Sequence, residues 1–498
     1  MRRAFVVPRP RVLLASAIVA YAAGFAALST LRHEAFITGR FDLGNMVQAV
    51  WSTAHGHTLQ MTDLHGDQIS RLAAHVDPIL VAFVPLWWIW PSPSMLLVVQ
   101  ACAVALGAIP VFLLARKHLA SSRAALGFGL AYLLYPATGW LTLNEFHPVA
   151  LATPLLLLAF WYLDEDRLLP FSACAVAAAT CKEEIALVVA GFGIWYALAH
   201  RRWLAGTAIA IVGGAWAAVA IAVVIPHYNA GAESDFYGRY SEVGGSAGGI
   251  LKTSFTHPLR IAEAAFGARD LHYLLDLVAP LAALCLLAPL VLVAALPELA
   301  INLLSSATTQ TSIHFHYTAG LIPPLMIGAI FGAKRLSRWT FPVAVAVVVA
   351  ALVGNYRLGP IPGWRHVPGG QTFQATAARV TVHDHIADRA LRLIPADAVV
   401  SATNTLGAHL SARLRVLSFP FIEDSSWIAA DETQPGYADR YAPLPTAIQL
   451  ASLRRNPEWQ LVFEEDGILV FRRSLFRRTT ASTNSATTRR SRASTSHT

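Results

Sequence analysis

Residues 204–225 read LAGTAIAIVGGAWAAVAIAVVI, twenty-two residues without a charge. As a helix this stretch is about 33 Å long, enough to cross ~30 Å of hydrocarbon. Comparable apolar runs occupy residues 12–31, 95–115, 124–143, 149–163, 168–180, 185–199, 317–333 and 341–353. A longer run, 274–304, is interrupted by Pro280, Pro289 and Pro297 and predicts two short spans turning near Ala288-Pro289. The sum is about 11 spans, an α-helical polytopic membrane protein. Composition agrees: 55% of the chain is hydrophobic and 14% charged, against about 25% charged in an ordinary soluble chain. That balance excludes a disordered chain and argues against a large soluble enzyme.

The formal net charge of +8 comes largely from one end. Seven arginines and no carboxylate lie between Arg472 and Thr498. This Ser/Thr/Arg-rich tail reads as solvated and disordered, with lipid headgroups as its secondary partner. The rest is nearly neutral and lacks the aromatic-interleaved basic groove of a single-strand binder, so no nucleic-acid partner is expected. The four cysteines all fall in apolar runs, without metal or redox spacing, and read as small buried hydrophobes. No Walker or GxGxxG motif is present, so no nucleotide site is expected.

Arg2, Arg3, Arg9 and Arg11 precede the first run, and no small-x-small cleavage pattern follows it. It reads as an uncleaved first span with the N-terminus in the cytoplasm. The turns Arg116-Lys117-His118, 164–167, His200-Arg201-Arg202 and Lys334-Arg335 with Arg338 then fall inside; three are basic and 164–167 is acidic. The pattern requires 76–90 to lie at the outer face without crossing. Three large outer segments result: 33–90, 226–272, and a region beyond residue 357. The last contains strand-like runs at 398–402, 414–419, 461–463 and 468–471, the final two joined by Glu465-Asp466-Gly467 as a hairpin turn. The expected division is a transmembrane domain, 1–356, an extracytoplasmic α/β domain, 357–473, and the tail, 474–498. The stretch Gly244–Gly249 reads as flexible.

The first outer segment places Leu43, Met46, Val47, Val50, Trp51 and Ala54 at helical spacing after Asp42. That predicts an amphipathic helix on the membrane surface. Asp42 at its start is either a helix cap or a rigidly held carboxylate that accepts a hydroxyl proton. His75 and Asp77, with His65 and Asp67, form two His-x-Asp pairs, a possible divalent-metal set. Three outer turns are rich in ionisable groups: Glu145 with His147, Lys182-Glu183-Glu184, and His314–Tyr317. Charge at that depth commonly faces a partner or a polar cavity. Lys182 and Glu183 are thus a neutralised pair or a phosphate-binding cation with its orienting carboxylate. His227-Tyr228, Arg239 and His316-Tyr317 are candidates to complete that pocket.

As a set, several of these motifs carry a resemblance. They are Phe41-Asp42-Leu43-Gly44, Gln48-Ala49-Val50-Trp51, His75-Val76-Asp77-Pro78, Phe146-His147-Pro148, Lys182-Glu183-Glu184, His314-Phe315-His316-Tyr317 and Ile394-Pro395-Ala396-Asp397-Ala398. The chain, to about residue 473, resembles the multi-pass membrane proteins of domain of unknown function 2079. That family is similar in layout to the GT-C glycosyltransferases, which have a catalytic acid in a long first extracytoplasmic loop and use polyprenyl-phosphate-linked sugars. The resemblance implies Asp42 as that acid. Many GT-C enzymes carry two adjacent acids; here Leu43 follows Asp42.

The expected function is inverting transfer of a sugar from a polyprenyl-phosphate donor to a glycan or lipid acceptor at the outer face of the plasma (inner) membrane. Asp42 is the expected base. Lys182, Glu183, His147, His227, Arg239, His316 and Tyr317 are the expected binding residues, and no cofactor beyond a possible metal is implied. The alternatives are a transporter or flippase of a lipid-linked or polar solute, and a non-catalytic scaffold.

Overall fold

The computed structural model describes residues 9–232, 235–371, 378–436, 439 and 445–474. Arg2, Arg3 and the arginines of the tail from Arg477 onward lie outside these. The chain is mainly helical. Among the described residues four helices are long and apolar enough to cross a membrane: Pro10–Glu34, Pro93–Leu119, Trp203–Tyr228 and Ser337–Leu358. Ser122–Leu134 and Pro136–Leu143, bent by 47°, together make a fifth candidate. Pro78–Ile89, Pro148–Asp164, Leu168–Ala179, Ile185–Ala199 and Pro289–Leu303 are shorter and apolar.

The 274–304 run is more broken than two spans. Helix Ala268–Val278 gives way to short turns, with Ala282 and Ala283 both left-handed (φ 52° and 54°) and a further break at Ala288. Pro280 and Pro289 each sit in the first turn of a new helical piece, where the missing N–H costs nothing. Cys181 and Cys285 are buried as expected, whereas Cys174 is half-buried and Cys102 exposed. On an apolar helix of this kind, outward-facing positions suit lipid as well as core.

The basic and acidic turns converge. Lys117 Nζ contacts Asp164 (2.7 Å) and Glu165 (2.8 Å), His118 Nε2 meets Asp164 at 2.9 Å, and His200 Nδ1 meets Asp166 at 3.3 Å. Lys334 Nζ lies 3.2 Å from His118 Nδ1. The one acidic turn of the four is therefore neutralised by its basic neighbours.

Helices Ile185–Ala199 and Trp203–Val219 cross on glycine. A Cβ on Gly193 would lie 2.6 Å from the Gly206 carbonyl oxygen, and one on Gly206 would lie 2.6 Å from that of Gly193. Small residues at such crossings let the backbones pack closely where lipid offers no hydrophobic driving force.

Within residues 33–90 the chain forms a π-helical turn, Arg40–Gly44, a helix, Asn45–Ala54, and a small hairpin of β1 (Gln60–Thr62) and β2 (Gln68–Ser70). The helix is not an exposed amphipathic one: protein covers both its faces. Its apolar side joins the main helical core, and Asn45, Gln48 and Ser52 on its other side are buried too. Gln48 Nε2 donates to the carbonyls of Arg413 and Leu414, so C-terminal residues cover the face that the pattern assigned to water. The Gly244–Gly249 stretch is likewise ordered locally: Ser246 caps helix Ala247–Thr256 by accepting from the Gly249 amide.

The C-terminal region carries β3 (Val400–Ala402), β4 (Val416–Ser418), β5 (Trp427–Asp431), β6 (Trp459–Glu465) and β7 (Ile468–Arg473), in the order β4-β3-β5-β7-β6. The β6–β7 turn has positive φ at both Asp466 (49°) and Gly467 (78°), the signature of a type I′ hairpin. Helices Val382–Leu391 and Asn404–His409 pack one face of the sheet through Ile386, Leu406 and Val470. Helix Thr446–Arg455 packs the other through Leu450, Ile428 and Phe471. Strand β5 was not signalled by the strand-like runs.

Replacing Gly206 with Val should destabilise the detergent-solubilised protein by about 1–3 kcal/mol, since the clash is with backbone. Thermal unfolding against wild type measures it.

Candidate functional site

The wide turn bearing Asp42 is held from three directions. Gly39 N donates to both carboxylate oxygens of Glu145 at 3.1 Å, and Leu43 N donates to Glu145 Oε2 at 2.9 Å. Phe41 N donates to Asn404 Oδ1 at 3.2 Å. The buried Arg40 guanidinium donates to the carbonyls of Thr62 (3.1 Å) and Asp63 (2.9 Å) and to Ser418 Oγ (2.9 Å). Gly44 packs closely here: a Cβ on it would lie 2.6 Å from Ser411 Oγ, which itself donates to the Gly407 carbonyl. π-Turns recur at functional sites because they re-aim a side chain. Glu145 itself is left-handed, at φ 48°, a conformation sparse for a residue with a Cβ. Asp42 is thus no helix cap: it lies inside the turn, and the turn's amides are taken by other residues.

Asp42 retains 29% side-chain exposure, and its Oδ1 lies 3.5 Å from His147 Nε2. His147 Nδ1 contacts the Asn144 carbonyl at 2.8 Å, a contact in which only the nitrogen can donate. Buried Gln100 fixes this loop, accepting from His147 N at 2.9 Å and donating to the carbonyls of Leu141, Thr142 and Glu145. His147 stacks on His316 with ring centroids 3.7 Å apart. Burial, then the nearby His147 and Lys182, keeps His316 well below the usual imidazole range, hence neutral at pH 7.

His316 leads to Tyr317, its ring 4.3 Å away. Two cations converge on Tyr317: Arg239 Nη1 donates to its hydroxyl at 3.1 Å, and Lys182 Nζ lies 5.6 Å over its ring. Arg239 also reaches Gln310 Oε1 at 3.5 Å and covers the Phe236 ring at 4.7 Å. Lys182 is ion-paired with Glu184, not with Glu183. Burial works against its charge, but Glu184, Glu183 and Glu298 outweigh burial and raise it further above the usual lysine range. Glu183 turns away to His75 Nδ1 (2.8 Å) and Val76 N (2.9 Å). Those bonds hold it below the usual carboxylate range despite burial.

Of the expected residues, Asp42, His147, His316, Tyr317, Lys182 and Arg239 form one contiguous series. His227 does not join it; its ring contact is with Tyr228. His75 and Asp77 do not make a metal pair. His75 faces Glu183, while Asp77 is ion-paired with Arg71 at 2.7 Å. Among the described residues no group of three His, Cys, Asp or Glu side chains could hold a metal ion. Sequence reasoning missed Asn404, Gln310 and Glu298, and noticed Glu145 only as part of an ionisable turn. Glu298, 3% exposed, had a signal: with Asp276 it is one of only two acids in the long apolar run 274–304. Asn404 had none.

A buried carboxylate network, two convergent cations and an open acid on helices of bilayer length define a membrane protein with a polar site at the end of its helical core. The chain belongs to the family described as "Predicted membrane protein (DUF2079)", which it matches over residues 32–470. No curated protein matches the sequence. Among solved structures the chain is similar to ArnT from Cupriavidus metallidurans bound to undecaprenyl phosphate, with TM-score 0.53 and 13% identity, covering 93% of this chain and 97% of that one. Its apo state matches with TM-score 0.54 at the same identity and coverage. These matches show the fold.

Burial, then the charge of Asp42, pushes the Glu145 carboxyl up to about 8, against the opposing pull of the Leu43 and Gly39 amides. A carboxyl raised in the folded state contributes stability that is full below its unfolded pKa, near 4.5. It loses that contribution as pH rises towards 8. The thermal midpoint of wild type should therefore fall relative to Glu145→Gln between pH 5 and 8.5. Parallel midpoints across that range would contradict this assignment.

Proposed function

We propose that this protein transfers a sugar from a polyprenyl-phosphate donor to an envelope acceptor at the outer face of the plasma (inner) membrane. The carrying observation is Asp42, partly open on an immobilised turn and linked through His147, His316 and Tyr317 to Lys182 and Arg239. A fold shared with a protein that binds undecaprenyl phosphate supports a lipid phosphate as ligand. The proposed arrangement has about 11 crossings, the N-terminus inside and the C-terminus outside. Residues 1–356 form the membrane domain and 357–473 the outer α/β domain.

The acceptor hydroxyl attacks the anomeric carbon while Asp42 takes its proton. The bond from that carbon to phosphate oxygen breaks with inversion, and polyprenyl phosphate leaves carrying the electron pair. Lys182 and Arg239 stabilise the charge that develops on this oxygen, where preorganised cations act most strongly. Glu184 and Tyr317 position the two cations. His147, its ring packed against Asp42, holds that carboxylate in place.

Membranes supplied with polyprenyl-phosphate sugars carrying ¹³C at the anomeric carbon should yield a product of opposite anomeric configuration. Arg239→Gln should raise the donor KM about tenfold, the effect of losing one charged hydrogen bond. Donor that crosses the membrane intact, with no label reaching any acceptor, would reject transfer in favour of transport.

A further inference from the structure

A cavity of about 320 Å³ opens between the first outer segment and the C-terminal region, lined among others by Phe36, His383, Thr405, Asp431, Gln434 and Gly436. Its size lies at the lower end of small-ligand pockets, ~300–1,000 Å³. It is separate from the Lys182 cluster but adjoins the Asp42 turn. Asn404 stands between them: a Cβ on Gly436 would lie 3.1 Å from Asn404 Cβ, while Asn404 Oδ1 accepts from Phe41, the residue before Asp42.

The walls are built rigidly. His383 bridges Asp431 (3.1 Å) and Asp466 (2.9 Å). The other oxygen of Asp431 accepts from Thr433 N, Thr433 Oγ1 and Gln434 N, each at 2.9 Å. Asp439 ties Gly436 N (2.7 Å) to Asn404 N (2.8 Å). Phe36 has φ 51°, unusual for a bulky residue. Its ring stacks on His409 at 3.9 Å, and His409 in turn stacks on His33 at 4.1 Å. The strained backbone thus holds an aromatic side chain at the cavity.

The chemistry of this lining is specific. It offers an aromatic ring, a hydroxyl, and the exposed amide of Gln434, whose side chain makes no hydrogen bond among the described residues. The His383 charge is matched by two carboxylates, which disfavours a phosphate. The polar walls disfavour an acyl chain. An aromatic ring suits the C–H face of a pyranose, and hydroxyl and amide groups suit its hydroxyls. We propose that this cavity binds one saccharide unit of the acceptor, placing the neighbouring unit's hydroxyl towards Asp42 past Asn404. This rests on the transferase reading above.

The test is saturation-transfer NMR on the purified full chain in detergent, with glucose, galactose, mannose and N-acetylglucosamine as probes. At least one sugar should receive saturation from wild type and from Asp42→Asn. Gln434→Ala, at an exposed position that should not disturb folding, and Thr405→Trp, which fills the cavity, should weaken that binding about tenfold or more. Absence of saturation for all four sugars with wild type would overturn the proposal. So would undiminished binding by both variants at unchanged thermal midpoints. The readout needs no turnover, so failure of the transferase reading leaves binding intact, whereas failure of the cavity leaves transfer kinetics unchanged in both variants.

Discussion

The carboxylate of Glu145, accepting the amides of Gly39 and Leu43, is the contact on which the rest of the site depends. A turn of π-helix leaves amides without their usual i→i+4 partners, and a buried amide without an acceptor costs about 1–3 kcal/mol. Glu145 supplies the acceptor from between two apolar helices, and Asn404 supplies a second from the C-terminal region. Arg40 closes the third side against the hairpin and Ser418. Asp42 is consequently fixed to both the helical core and the sheet-bearing region. A reacting carboxylate must be held to within about half an ångström to be effective.

Electrostatics divides the same end of the molecule into two parts. Around Asp42 the neighbours are a partly buried acid and two stacked imidazoles, one held neutral by burial. Around Lys182 and Arg239 the two cations are balanced by buried carboxylates, with Glu184 paired to the lysine and Tyr317 between the two cations. Such compensation is what allows a lysine to remain charged when buried. A ligand with an anionic group at one end and a hydroxyl-bearing reaction at the other matches this arrangement.

Much of this was legible in the sequence, for physical reasons. Charge-free runs such as 204–225 announce membrane helices because a bilayer tolerates few alternatives. Lys182 and Asp42 stood out because isolated charges beside apolar runs are expensive. The β6–β7 turn was readable because Asp466-Gly467 is among the few pairs that accept two positive φ values. What could not be read depends on distant partners. Asn404 and Phe41 are 363 residues apart, and nothing local marks either. The choice of Glu184 over Glu183 for Lys182 follows from His75 having claimed Glu183. The surface-helix expectation for residues 45–54 failed because a helical pattern records which face is apolar, not what covers the polar face.

The most direct measurement is the rate at which membranes bearing Asp42→Asn, at wild-type abundance, move radiolabelled sugar from a polyprenyl-phosphate donor onto an acceptor. Asparagine keeps the shape of the side chain and removes its capacity to take a proton. The account predicts a loss of about 10²–10⁴-fold, the usual contribution of a general base, with donor binding preserved. Transfer at the wild-type rate would contradict it and remove Asp42 from the chemistry.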